Sequence, residues 1–191
     1  MKSVLAALPS TFPFPQTITE RYAGVVGFAL ITSAAAQISI PLQPVPLTLQ
    51  TIAVFLSGAL LGPKRGALTQ SVYLFAGAVG LPVFAGFSGT LGHLMGPTGG
   101  YLLAFPFAAW VTGVMGNTLR RFPPFVAFFV AMTIANLAVF FLGVSWLSLF
   151  WLHDWSLAWT LGFANILVWD IPKLAVAAGI AASIGKKTIS H

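Results

Sequence analysis

The sequence predicts an all-α integral membrane protein: six transmembrane helices, both termini cytoplasmic, and irregular outer loops lining a substrate pocket. Three observations carry that expectation. Of 191 residues, 58% are hydrophobic and only 6% charged, against about 25% charged in soluble chains. Mean hydropathy is +0.92. The apolar residues fall into runs separated by proline-rich, glycine-rich or basic connections. Finally, Lys2 with Arg21, Lys64 with Arg65, Arg120 with Arg121, and Lys186 with Lys187 all occupy connections of one parity, and connections of the other parity carry no Lys or Arg. Basic connections stay on the cytoplasmic side.

Taken in order, residues 1–20 are broken by Pro9, Pro13 and Pro15 and precede a single membrane domain, 1–191, whose six-span core covers about 22–185. Val4 to Leu8 is too short for the apolar core of a signal peptide. The first span is Tyr22 to Ile38. Pro41, Pro44 and Pro46 then make a stiff, non-helical connector. Thr48 to Leu61 is the second span, closed by a polar turn, Gly62-Pro63-Lys64-Arg65-Gly66, and Ala67 to Gly80 is the third. Both middle runs are shorter than the ~20 residues of a straight span, so irregular backbone is expected at membrane depth, tolerated only where it lines a cavity. The apolar, glycine-rich Gly80–Tyr101 stretch supplies it. Thr98 to Gly116 is the fourth span, with a kink at Pro106, and Phe125 to Gly143 the fifth, opened by Pro123 and Pro124. Trp146, Trp151, Trp155, Trp159 and Trp169 mark a segment lying along one interface. The sixth span is expected to start at Asp170 as helix cap, with Pro172 in the first turn, and to end before Lys186.

The net charge of +6 is spread over separate connections, so it orients the chain in a lipid bilayer, and no nucleic-acid partner is expected. No cysteine is present, which excludes a disulfide framework and thiolate metal sites. Scarcity of charge makes Asp170 and Lys173 conspicuous. Three apart on a helix, they share a face. A charge facing lipid costs about 2.5–3.5 kcal/mol on insertion scales, so the pair belongs in a protein interior or wet cavity. Either it binds something, or it is a self-satisfied ion pair that fixes helix packing.

One acid, one base, aromatic residues and exposed glycine backbone on the outer side suit a small polar-headed organic solute. Gln50, near the outer end of the second span, adds an amide donor and acceptor. Ala23 and Gly27, four apart, could admit a close helix neighbour. A rival is an intramembrane protease: Gly86-Phe87-Ser88-Gly89 matches the GxSG motif of rhomboid-type serine proteases. That nucleophile needs a base within hydrogen-bond reach, and the last span contains no histidine. A non-enzyme is therefore expected. His93, His153 and His191 lack ligand spacing, so no metal is expected either. A purely structural or assembly role is the remaining alternative.

Gln37-Ile38-Ser39-Ile40-Pro41, Val45-Pro46-Leu47-Thr48-Leu49-Gln50-Thr51 and Leu60-Leu61-Gly62-Pro63-Lys64-Arg65-Gly66 resemble the BioY family. The likeness continues through Gly80-Leu81-Pro82-Val83-Phe84, Gly96-Pro97-Thr98-Gly99-Gly100-Tyr101 and Asp170-x-x-Lys173, spanning about residues 23–185. BioY proteins are the biotin-binding subunits (S components) of energy-coupling-factor transporters in prokaryotes. The resemblance implies a multi-pass protein of the cytoplasmic membrane that captures biotin from outside. It implies delivery with a transmembrane coupling subunit and a pair of ABC-type ATPases, and no cofactor. Another small vitamin is the alternative substrate. The implied contacts are Asp170, Lys173, Gln50, Phe84, Gly86, Gly89 and Tyr101, and the implied docking stripe is Ala23 and Gly27. Asp170 can accept from a ureido N–H, and Phe84, Tyr101 or a tryptophan can cover the ring. The chain has no phosphate-binding loop, so ATP chemistry would belong to partners.

Overall fold

Apolar residues run from Tyr22 to Ile38 without a proline, and the chain is helical there. In a computed structural model, which describes residues 18–187 and the side chains of 22–184, α1 spans Ile18–Gln37. The proline-broken segment up to residue 17, with Lys2, lies outside the described residues, as do His191 and the side chains of Arg21, Lys186 and Lys187. Two-residue strands β1 (Ser39–Ile40) and β2 (Leu47–Thr48) pair antiparallel across the proline connector, Ser39 opposite Thr48.

Helix α2 (Gln50–Leu61) and α3 (Pro63–Ala78) are joined by Gly62 alone. The expected five-residue turn is therefore shorter. Pro63 takes the first helical position, where its missing N–H costs nothing, and draws Lys64, Arg65 and Gly66 into α3. Gly62 has φ +87°, which suits glycine. The expected Gly80–Tyr101 stretch is irregular up to Thr98, with a 3₁₀ turn at Ala85–Phe87 and α4 (Leu91–Leu94) within it, and its last three residues already belong to the next helix. Helix α5 (Gly99–Thr118) contains Pro106, and α6 (Pro124–Leu147) opens on proline.

After α6 the chain departs most from expectation. A π turn at Ser148–Leu152 prolongs α6, α7 (Trp155–Trp159) follows, and a second π turn at Thr160–Ala164 leads directly into α8 (Asn165–Lys187). Asp170 and Pro172 are thus inside α8 and neither caps nor starts it. The apolar Leu161–Val168 segment carries the helix upstream. The aspartate that does cap a helix here is Asp154, whose carboxylate accepts from Leu157 N at 3.0 Å.

Among the described residues, three helical stretches are long and apolar enough to cross a membrane: Gly99–Thr118, Pro124–Leu152 and Trp155–Ile184. The apolar Tyr22–Gln37 and Gln50–Leu61 helices are shorter. Close packing rests on glycines that sequence patterning did not single out. A Cβ on Gly58 would sit 2.0 Å from Ala109 O, and one on Gly113 2.5 Å from Pro63 N. These contacts seat α5 against the α2–α3 junction. They also bring the start of α3, with exposed Lys64, towards the end of α5 that leads to exposed Arg120 and Arg121.

Candidate functional site

The other end of the bundle holds a pocket lined from five directions: the β2–α2 segment (Val45 to Thr51), the loop at Phe84–Ala85 and His93, the start of α5, the middle of α6 and the first half of α8. Its polar centre is the expected pair. Asp170 is 3% exposed. The Lys173 ammonium forms an ion pair with Asp170 Oδ1 and donates to Thr48 O at 3.1 Å. Lys173 therefore fastens α8 to the hairpin as well as to its own acid. On the other side, Asn136 Nδ2 of α6 donates to Asp170 Oδ2 at 3.0 Å. A buried carboxylate met by a cation and an amide donor satisfies the rule that buried charges are paired.

Gln50 also reaches the pocket, oriented from two sides: its Oε1 accepts from Thr48 Oγ1 at 3.0 Å, and its Nε2 donates to the Tyr73 hydroxyl. Tyr73 in turn donates to Val83 O at 3.3 Å. Phe84, fully buried, lies edge-on to Tyr73 and stacked on His93, with ring centroids 5.5 and 5.2 Å away. Its ring occupies the space a Cβ on Gly77 would fill, 2.0 Å from the nearest ring atom, so only glycine permits this seat. Tyr101 donates its hydroxyl to Gly162 O at 3.0 Å, which leaves its ring as the surface it shows the pocket.

Thus Asp170, Lys173, Gln50, Phe84 and Tyr101 are brought together. Gly86 and Gly89 are not among the lining residues. Gly86 makes the sharp turn of the loop at φ +70°, and Gly89 packs so closely on Leu81 that a Cβ would lie 1.8 Å from its carbonyl oxygen. Ala23 is exposed, and Gly27 has nothing within 4 Å of where its Cβ would be, so neither packs against a helix of this chain. No tryptophan lines the pocket among the described residues. Trp146 and Trp151 instead donate to Gly96 O and Met95 O, at 3.0 and 3.2 Å, and anchor the loop. Trp155, Trp159 and Trp169 are exposed.

Sequence reading passed over Asn136, Gln37 and Tyr73. Gln37 holds the loop by donating to Phe84 O at 3.0 Å and accepting from Phe87 N at 2.9 Å. The available signal for Asn136 was that it is the only carboxamide in the apolar run from Phe125 to Trp151. One expectation is corrected. A base does lie within reach of Ser88: His93 Nδ1 is 3.2 Å from Ser88 Oγ. The loop folds back, bridging Phe84 to Ser88, and Thr90 caps α4 by accepting from His93 N at 3.2 Å. The Ser88 hydroxyl, however, donates to Ala85 O at 2.8 Å. That proton lies towards the carbonyl and not towards Nδ1, whose own role in the contact is set by the ring tautomer. A nucleophilic serine requires the reverse arrangement. Partial burial holds the His93 pKa below its ordinary value, favouring the neutral ring. No group of three or more metal-ligating side chains occurs among the described residues.

The family model described as the BioY family matches residues 6–189. Among similar proteins, the probable biotin transporter BioY of Pyrococcus horikoshii is 42% identical over 154 residues, covering 81% of this chain and 89% of that protein. The biotin transporter BioY of Thermotoga maritima is 43% identical over 165 residues, covering 86% and 95%. The crystal structure of the S-component for biotin from an ECF-type ABC transporter superposes with a TM-score of 0.82 over 90% of this chain and 95% of that one. At 23% identity that likeness is one of fold.

Proposed function

The chain belongs to the BioY family, and from that premise we propose that it captures biotin from outside the cell as the substrate-binding subunit of an energy-coupling-factor uptake system. The observation that carries the reading is the Asp170–Lys173–Asn136 cluster set in a pocket otherwise lined by apolar and aromatic side chains. Biotin joins a ureido head, with two N–H donors and a carbonyl acceptor, to an apolar bicycle and a carboxylate tail. A few placed polar groups inside an apolar pocket suit such a molecule. Asp170 accepts from a ureido N–H, Lys173 has donor capacity left for an oxygen, and the rings of Phe84 and Tyr101 face the bicycle.

In this reading six helices (α1, α2, α3, α5, α6 and α8) cross the cytoplasmic membrane of a prokaryote, with both termini inside. The pocket faces outward, and Lys64, Arg65, Arg120 and Arg121 face the cytoplasm, which agrees with their lying at the opposite end of the bundle. The chain is a carrier subunit and not an enzyme. A transmembrane coupling subunit docks on the unoccupied Ala23–Gly27 side of α1, and a pair of ATPases supplies the energy. The test is equilibrium binding of labelled biotin to the purified protein, with thiamine and riboflavin as competitors. Saturable binding displaced by unlabelled biotin alone is expected. No binding, or equal displacement by either other vitamin, overturns the proposal.

A further inference from the structure

The carboxamide of Asn136 is 3% exposed and fixed in orientation. Its Nδ2 donates to Asp170 Oδ2 at 3.0 Å, and turning the amide over would set two oxygens against each other. Its Oδ1 is consequently held away from Asp170, and it is buried with no hydrogen-bond partner among the described residues. Buried acceptors are normally satisfied, so each that is not calls for a cause. Asp170 Oδ1 and Gln70 Oε1 also lack a hydrogen-bond partner among the described residues, but Asp170 Oδ1 is held in the ion pair with Lys173. Gln70 is packed among α1, α2 and α3, where its Nε2 donates to Thr32 and Ser57, and it does not line the pocket. Asn136 does.

We infer that Asn136 is a recognition residue whose Oδ1 accepts a hydrogen bond from the second ureido N–H of the bound molecule, alongside the N–H that Asp170 accepts. This rests on the biotin reading above and assigns it a residue. A cyclic urea carries its two N–H groups on either side of one carbonyl, so it needs two separate acceptors. The cluster supplies one on α8 and one on α6. Because the Asn136 N–H side is tied to the carboxylate, the amide cannot rotate to offer a donor instead. The pocket therefore selects for an N–H at this position and leaves Oδ1 unpaired and desolvated against any ligand lacking it.

The experiment pairs a change in the protein with a change in the ligand. Binding of biotin and of the two singly ureido-N-methylated biotins is measured with the wild type and with Asn136→Leu, which has similar volume and no acceptor. In the wild type each methylation should weaken binding by about tenfold or more, the usual size of one lost hydrogen bond in a desolvated site. In Asn136→Leu, biotin should bind about tenfold more weakly, and methylation of one nitrogen should cost nothing further. Methylation of the other nitrogen should cost as much as before. Should the leucine variant fail to fold, judged by its melting transition and elution, Asn136→Ala removes the acceptor without adding bulk and is read the same way. Losses that add for both methylated ligands would show that Asn136 acts only by orienting Asp170, and would overturn this inference while leaving the biotin reading intact. Failure of the wild type to bind biotin overturns both.

Discussion

Substituting Asp170 by Asn keeps the shape of the side chain and an acceptor for Asn136 Nδ2, and removes the anion from beside Lys173. The lysine side chain is only 11% exposed, and its ammonium would retain one protein acceptor, Thr48 O. Removing one member of a buried ion pair typically costs about 3–5 kcal/mol, because the other is left as an uncompensated charge. The retained Thr48 carbonyl should place Asp170→Asn at the lower end of that range. Lys173→Met strips the cation from a carboxylate still served by Asn136, and also unties α8 from β2. Together, Asp170→Asn and Lys173→Met leave no buried charge, so much of the lost stability should return. Binding should not return with it. A hydrogen bond to a charged group in a desolvated site is worth roughly 1.5–3 kcal/mol, or about one to two decades in affinity. The double variant should therefore melt near the wild type and bind biotin about tenfold to a hundredfold more weakly. The assay is equilibrium binding of labelled biotin in detergent beside a thermal melt of each variant. Near-native affinity in the folded double variant would refute the argument and reduce the pair to scaffold.

Three more outcomes are expected. A cysteine at position 64 should resist an impermeant thiol reagent applied to intact cells and react after permeabilisation, with no native cysteine to interfere; labelling from outside would reverse the topology. Replacing Ala23 or Gly27 by Trp should reduce co-purification of the coupling subunit without altering biotin binding, since both lie on a side of α1 unused within this chain; undiminished recovery would mean that docking uses another face. Ser88→Ala should change biotin binding less than about threefold and a fluorophosphonate should not label the wild type, because the Ser88 proton is directed at Ala85 O. Covalent labelling at Ser88 would make the His93 contact a catalytic one.

Helix content, membrane character and the proline-stiffened connector were legible in the sequence because each follows from local composition. So was the Asp170–Lys173 pair: a spacing of three on a helix puts both side chains on one face whatever the rest of the chain does. The start of α8 lies upstream of Asp170 because Asp and Pro are good helix openers only where no apolar segment already continues the helix upstream. Asp154 met that condition and Asp170 did not. Asn136 became visible only in three dimensions. Helices apolar on nearly every side, such as α6, carry no stripe that announces which face is inward, so the depth and rotation that bring Asn136 to Asp170 are set by packing between helices. The same holds for the Phe84 seat, which depends on Gly77 in another element, and for His93, which reaches Ser88 only because the loop folds back on itself. Sequence by itself determined what kind of molecule this is and which two charges pair inside it. The tertiary structure decided which neutral groups surround those charges, because hydrogen-bond partners far apart in the chain are chosen by how helices pack and not by local spacing.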